Sequence, residues 1–77
     1  MNHPKLRDVL GIICASEIVT VIVELPNDDG GYEQVRIWRG FPEYVSIDKL
    51  EADGAVYVTT MFSANNIVLV CREEDNQ

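Results

Sequence analysis

The chain has 77 residues, 47% of them hydrophobic, and its thirteen acidic and six basic side chains give a formal net charge of −7. A chain of this length holds one small core, and its apolar content is high enough to offset the entropy lost on folding, which excludes a disordered protein. The negative charge repels phosphate backbones and anionic lipid, so we expect no direct binding to nucleic acid and none to membranes.

The first half of the chain predicts a helix followed by a β-hairpin. Residues 4–14 have proline in the first turn and apolar side chains at helical spacing, namely Leu6, Val9, Leu10 and Ile13. Residues 18–25 are β-branched on both faces, which predicts a central strand. Turn-forming residues at 26–31 predict a hairpin loop. Residues 32–39 then alternate as a half-exposed strand, with one side made of Tyr32, Gln34, Arg36 and Trp38.

The second half predicts a short helix and another hairpin. Residues 46–53 begin with a serine suited to the N-cap and are followed by a glycine suited to the helix end. Two β-rich runs, 55–62 and 67–72, are separated by asparagines that tolerate left-handed backbone. Residues 73–77 read as a frayed acidic tail.

These elements predict a single α+β domain over residues 1–77. Its sheet would be an antiparallel four-stranded sheet made of two hairpins, in the order α-β-β-α-β-β. The alternative is a small SH3-like β-barrel with an N-terminal helix, in which residues 46–53 form a single turn.

Cys14 and Cys71 both lie in apolar stretches of a chain without a secretory signal pattern. Two cysteines in this context are typical of buried, reduced thiols rather than of a disulfide or a zinc site. No apolar stretch reaches the roughly 20 residues that cross a bilayer. We therefore expect a cytoplasmic protein with two buried thiols.

The sequence contains no pattern that indicates catalysis, a metal site or a cofactor. His3 is the single histidine, and a base near a chain terminus lacks the third group that would orient it. The acidic pair Asp28 and Asp29 lies in a turn without the alternating ligands of a calcium loop. A second acidic group is explained by the preference for acidic side chains near the start of a helix, and it comprises Asp48, Glu51 and Asp53. We expect a protein that is not an enzyme and needs no cofactor.

Tyr32, Arg36 and Trp38 are the candidate interface residues. Their residue types are the ones most enriched at binding hot spots, and regular alternation places them on one side of a strand. A symmetric homodimer would bury them against their copies. A single tryptophan in so small a protein is also typical of a core residue, so both roles for Trp38 stay open.

At the level of pattern, nearly the whole chain resembles a broad group of short uncharacterised proteins of Gram-positive bacteria, their phages and mobile elements. The matching pieces are the helix start at 5–10, the valine-rich strand at 18–25, the hairpin at 55–72, and the residues Trp38, Arg39, Gly40 and Leu50. The resemblance implies a fold of this helix and strand order and transfers no functional residue.

Taken together, these features predict a small non-enzymatic module that presents a sheet face or sheet edge to an unknown protein partner or to itself. The alternative is an acidic inhibitor that mimics nucleic acid and occupies a DNA- or RNA-binding protein. That alternative requires the acidic side chains to gather on one surface, whereas an interaction module allows them to be scattered for solubility.

Overall fold

The computed structural model describes residues 2–74. Its elements are α1 (Leu6–Leu10), β1 (Val19–Pro26), β2 (Tyr32–Gly40), a 3-10 turn (Pro42–Tyr44), α2 (Ile47–Ala52), β3 (Tyr57–Ala64) and β4 (Asn66–Arg72). The 3-10 turn is absent from the predicted order. Of the predicted tail at 73–77, Glu73 and Glu74 are exposed, and the remaining three residues lie outside the described range, as does Met1.

The four strands form an open, mixed sheet in the order β2-β1-β4-β3. Each predicted hairpin is antiparallel, but β1 and β4 run parallel, with Val19 opposite Ile67 and Val23 opposite Cys71. The α+β class is confirmed, whereas the purely antiparallel sheet is wrong. The barrel alternative is wrong as well, because the outer strands β2 and β3 do not pair with each other and the sheet stays open. The predicted central position of β1 is confirmed.

Both helices pack on the same face of the sheet. Their buried side chains form one cluster with alternate residues of the strands, comprising Leu6, Val9, Leu10, Val19, Val21, Leu50, Ala55, Val58, Leu69 and Cys71. Because successive strand residues point to opposite faces, the residues between them face away from the helices. We call that second surface the open face, and it includes Thr20, Ile22, Arg36, Arg39, Phe62, Val68 and Val70.

The first helix is shorter than predicted, with five residues in place of the eleven at 4–14. The segment before it is extended and pairs with the start of β3. The backbone N–H of Val58 donates to the carbonyl of Pro4 at 2.8 Å, and the N–H of Leu6 donates to the carbonyl of Val56 at 2.8 Å. Backbone groups used in this pairing are lost to a helix, so this tertiary contact accounts for the start of α1 at Leu6 rather than at Pro4.

Two turn predictions are confirmed by the backbone. In the β1–β2 loop the side-chain oxygen of Asn27 accepts hydrogen bonds from the N–H groups of Asp29 and Gly31, at 3.1 and 3.0 Å. After α2, Gly54 has a φ of +103°, as a glycine that ends a helix is expected to have. Ser46 holds the N-cap position, but its side chain makes no capping hydrogen bond.

Candidate functional site

A β-bulge in the edge strand β2 determines how the candidate interface residues are arranged. Arg36 lies opposite Ile22 of β1, and Trp38 lies opposite Val21, so Ile37 is an extra residue between them. Neighbouring residues of β1 point to opposite faces, so Arg36 belongs to the open face and Trp38 to the helix face. Trp38 packs against the hydrophobic core from there. The predicted shared side of Arg36 and Trp38 is therefore wrong.

The same bulge brings two arginines together. Arg36 and Arg39 are three positions apart, so a regular strand would place them on opposite faces. With one residue inserted, they lie opposite Ile22 and Thr20, two alternate residues of β1, and both reach the open face. The bulge thus gathers two guanidinium groups at one edge of that face.

The two guanidinium groups differ in how they are held. Nη2 of Arg39 donates a hydrogen bond to Oδ1 of Asn66 at 2.9 Å, which fixes Arg39 against the start of β4. Arg36 is exposed, and within residues 2–74 no side chain forms a hydrogen bond or ion pair with it. The guanidinium of Arg39 is therefore held in place, and that of Arg36 is available to bind a ligand.

Next to these arginines lies an open depression of about 540 Å³ with an apolar wall. Trp38 and Phe41 contribute aromatic surface, and the side chain of Phe41 is 39% exposed. The indole ring lies over the backbone of Gly40, where an added Cβ would be 3.1 Å from Cζ2 of Trp38. The site therefore combines two positive groups, two aromatic rings and an unpaired strand edge, and we call it the bulge site.

Tyr32 lies away from the bulge site, at the other end of β2. Its ring stacks under the guanidinium of Arg72, whose Cζ is 3.9 Å from the ring centroid. Nε of Arg72 also donates to Oε1 of Glu24 at 2.9 Å, and Nε2 of Gln34 donates to Oε2 of Glu24 at 3.1 Å. Arg36 and Trp38 thus line one depression from opposite faces of the edge strand, whereas Tyr32 lies in a separate group.

Hydrogen bonding favours the ionised form of Glu24. Partial burial acts to raise the pKa of this carboxyl, but the hydrogen bonds from Gln34 and Arg72 together outweigh burial and hold the pKa below its usual value. Glu24 therefore remains an ionised partner for Arg72.

The two cysteines occupy different environments. Cys71 is buried in the core, and burial raises the pKa of its thiol to about 12. Cys14 is exposed in the loop after α1, and a hydrogen bond with Ser16 lowers the pKa of its thiol. The predicted burial of Cys14 is therefore wrong, because its helix ends at Leu10 and leaves Cys14 outside the core.

Sequence reasoning missed Arg39 and Phe41 as members of this site. A signal was present, since two arginines and two aromatic residues fall within the six positions from 36 to 41. Their convergence could not be predicted from period-2 alternation, because that rule separates Arg36 from Arg39. The bulge depends on how β2 pairs with β1, which the local sequence does not reveal.

Acidic side chains gather at the end of the sheet where β1 and β4 finish. The β1–β2 turn contributes Asp28 and Asp29, and Glu73 follows β4 at the same end because the two strands are parallel. Asp53 precedes Gly54, whose added Cβ would lie 4.0 Å from the Cβ of Glu73. We call this group the acidic end. Asp48 and Glu51 lie apart from it on α2, where both contact Arg7.

Within residues 2–74 no set of three or more histidine, cysteine, aspartate or glutamate side chains is placed to hold a metal ion. Over the same range, no helix has the length and apolar character needed to span a bilayer. Comparisons with protein-family models, with curated proteins and with solved structures found no match to this chain.

Proposed function

We propose that the protein is a non-enzymatic interaction module that binds an acidic segment of a protein partner at the bulge site. The observation that carries this proposal is the convergence of Arg36 and Arg39 on the open face, at the rim of a depression that Trp38 and Phe41 also line. Arginine and tryptophan are the residue types most often found at binding hot spots. Bulges commonly occur where an edge strand redirects side chains toward a function.

Charge supports an acidic partner. The strands contain three arginines and two glutamates. The register places all three arginines and Glu24 on the open face, and Glu33 on the other face. Glu24 is already paired with Arg72, so the positive charge of Arg36 and Arg39 is not neutralised by an acidic neighbour of the strands. A carboxylate can accept two parallel hydrogen bonds from one guanidinium, which gives direction as well as attraction.

A nucleic acid suits this site less well than a peptide carboxylate. The chain carries a net charge of −7, so a long polyanion would be repelled by the acidic end and by the acidic residues of α2. A short segment that contacts the bulge site alone avoids most of that repulsion.

Selection from a random peptide library displayed on phage tests the proposal. Peptides that bind the immobilised protein should be enriched in Asp and Glu, and their binding should weaken with added salt. The combined variant Arg36→Gln/Arg39→Gln should lose them, whereas Lys49→Gln, which removes an exposed positive charge on α2, should retain them. Equal binding to both variants, or preferred binding of a single-stranded oligonucleotide, would reject this function.

The acidic end favours a second candidate function, in which the chain mimics nucleic acid. Asp28, Asp29, Asp53 and Glu73 lie at one end of the sheet, although Asp48 and Glu51 lie apart and contact Arg7. A mimic would capture immobilised basic DNA-binding domains in a salt-sensitive manner, and Asp28→Asn/Asp29→Asn would abolish that capture. Capture that is lost instead in Arg36→Gln/Arg39→Gln would support the interaction module.

A further inference from the structure

The outer edge of β3 is divided into a covered part and an open part. The extended residues before α1 cover its beginning, with Lys5 paired to Tyr57 and with backbone hydrogen bonds at Val56 and Val58. Along residues 59–64, no described segment other than β4 pairs with the strand. We call this stretch the open edge. Its outward backbone groups face solvent and are available to another strand.

Apart from a bulge at Thr59, the open edge lacks the features that usually prevent pairing between edges. β3 contains no charged residue and no proline, and the side chains of Met61 and Phe62 are 60% and 47% exposed. The opposite edge strand, β2, carries Glu33, Arg36 and Arg39 together with a bulge. Charges and prolines are common means of protecting an edge, so the two edges differ in charge although each contains a bulge.

We propose that the open edge binds a second copy of this chain. Two copies of β3 would pair antiparallel about a two-fold axis near Met61 and Phe62, which joins the two sheets into one of eight strands. Each copy supplies the same neutral stretch. Met61 lies opposite Leu69 and Phe62 opposite Val68, so the two side chains are on opposite faces of the sheet. With the axis at Phe62, each Phe62 lies beside its own copy on the open face, and each Met61 lies beside Ser63 of the other copy on the helix face. The contact satisfies the free backbone groups and shields part of both exposed side chains.

The distribution of charge supports a second copy as the occupant. The open edge leads into the β3–β4 turn, which lies at the opposite end of the sheet from Asp28, Asp29 and Glu73 because β1 and β4 are parallel. An antiparallel arrangement directs the two acidic ends away from each other. Two chains of net charge −7 can therefore approach along a neutral strand with little repulsion at the contact.

Sedimentation equilibrium over a dilution series tests the dimer. The wild-type protein should show a monomer–dimer equilibrium at micromolar concentration. Met61→Lys and Ser63→Lys each place like charges near the two-fold axis and should raise the dimer Kd by roughly tenfold or more. Tyr44→Lys makes the same charge change at an exposed aromatic residue of the 3-10 turn and should leave the Kd unchanged.

Far-UV circular dichroism verifies that the variants are folded. If Met61→Lys does not fold, the result for Ser63→Lys decides the test. A species of 8.7 kDa at every concentration, or a dimer that survives folded edge variants, would overturn the proposal. Polymers that grow beyond the dimer and dissolve in salt would also overturn it, since they indicate contact between the acidic end and the bulge site. Arg36→Gln/Arg39→Gln should leave the dimer intact. A failure of the dimer proposal can therefore be distinguished from a failure of the proposed peptide binding.

Discussion

Arg72 and Tyr32 come from strands that are not neighbours in the sheet, yet the guanidinium carbon lies 3.9 Å from the centroid of the phenol ring. The contact connects β4 to β2 across β1, and Glu24 of β1 binds the same guanidinium from between them. It ties together three of the four strands at the end where β1 and β4 finish.

Removal of this contact should destabilise the fold measurably. We expect Tyr32→Leu and Arg72→Gln each to lower the free energy of unfolding by about 1 kcal/mol, since a cation–π contact and a charged hydrogen bond are lost. The double variant should lose less than the sum of the two single variants, which urea denaturation can measure. Strict additivity would show that the two side chains do not interact in solution.

The depressed pKa of Glu24 predicts a pH dependence of stability. A carboxyl whose pKa is lower in the folded than in the unfolded state stabilises the fold fully above its unfolded pKa, near 4.5, and loses that contribution as the pH falls through the folded value. Glu24→Gln should therefore reduce stability at pH 7 and make little difference at pH 3. Glu33→Gln, on the same sheet, serves as the control, and urea midpoints at the two pH values provide the measurement.

The two thiols should react at very different rates. Cys14 is exposed and the pKa of its thiol is lowered, so it should react rapidly with a thiol reagent in the native protein. Cys71 is buried, and a thiol with a pKa of about 12 should stay unreacted until the protein unfolds. Labelling followed by mass spectrometry should give one adduct without denaturant and two with it. Two rapid adducts in native buffer would contradict the core position of Cys71.

Two glycines with positive φ offer a matched pair for measuring a packing contact. Gly30 and Gly54 have φ values of +84° and +103°, so alanine is strained at both and should cost about 1 kcal/mol. An added Cβ meets open space at Gly30, but at Gly54 it would lie 3.3 Å from Cγ2 of Val23. Gly54→Ala should therefore lower the thermal midpoint more than Gly30→Ala. Equal decreases in the thermal midpoint would mean that the side chain of Val23 moves aside without loss of stability.

Val21 is fully buried in the centre of the sheet, and Val21→Asp should unfold the protein because an unpaired buried charge costs several kcal/mol. The neighbouring Thr20 belongs to the open face and is half-buried, so Thr20→Asp should give a folded protein. Circular dichroism shows which of the two variants is folded, and so tests which face of β1 is buried. A cooperatively folded Val21→Asp protein would refute the assignment of its face.

Trp38 packs against the core from the helix face, so Trp38→Ala should lower the free energy of unfolding by about 2 kcal/mol. Gly40→Ala would introduce a Cβ 3.1 Å from the indole and should shift the tryptophan emission with a smaller loss of stability. Fluorescence and urea denaturation measure the two effects. Loss of peptide binding without loss of stability in Trp38→Ala would instead make Trp38 chiefly a binding residue.

Local patterns predicted the strands well and their assembly poorly. The β-branched run around Val21 and the turn chemistry at Asn27 are properties of consecutive residues, and both are confirmed. The parallel pairing of Val19 with Ile67 depends on residues far apart in the chain, which alternation cannot reveal. The bulge at Ile37 and the pairing of Lys5 with Tyr57 are long-range effects of the same kind. These two features create the bulge site and set the bounds of the open edge, so the convergence of the arginines and those bounds could not be predicted from the sequence.

The parallel pairing of β1 and β4 also constrains when the protein can fold during translation. Val19 precedes its partner Ile67 by 48 residues, and synthesis of that interval takes roughly 2–10 s at about 5–20 residues per second. During that time β1 has at first no partner and then only β2 beside it, and an isolated two-stranded hairpin is at best marginally stable in water. Chaperones and proteases therefore meet a nascent hairpin rich in valine and isoleucine. Release of β4 from the ribosome is the event that allows the sheet to form.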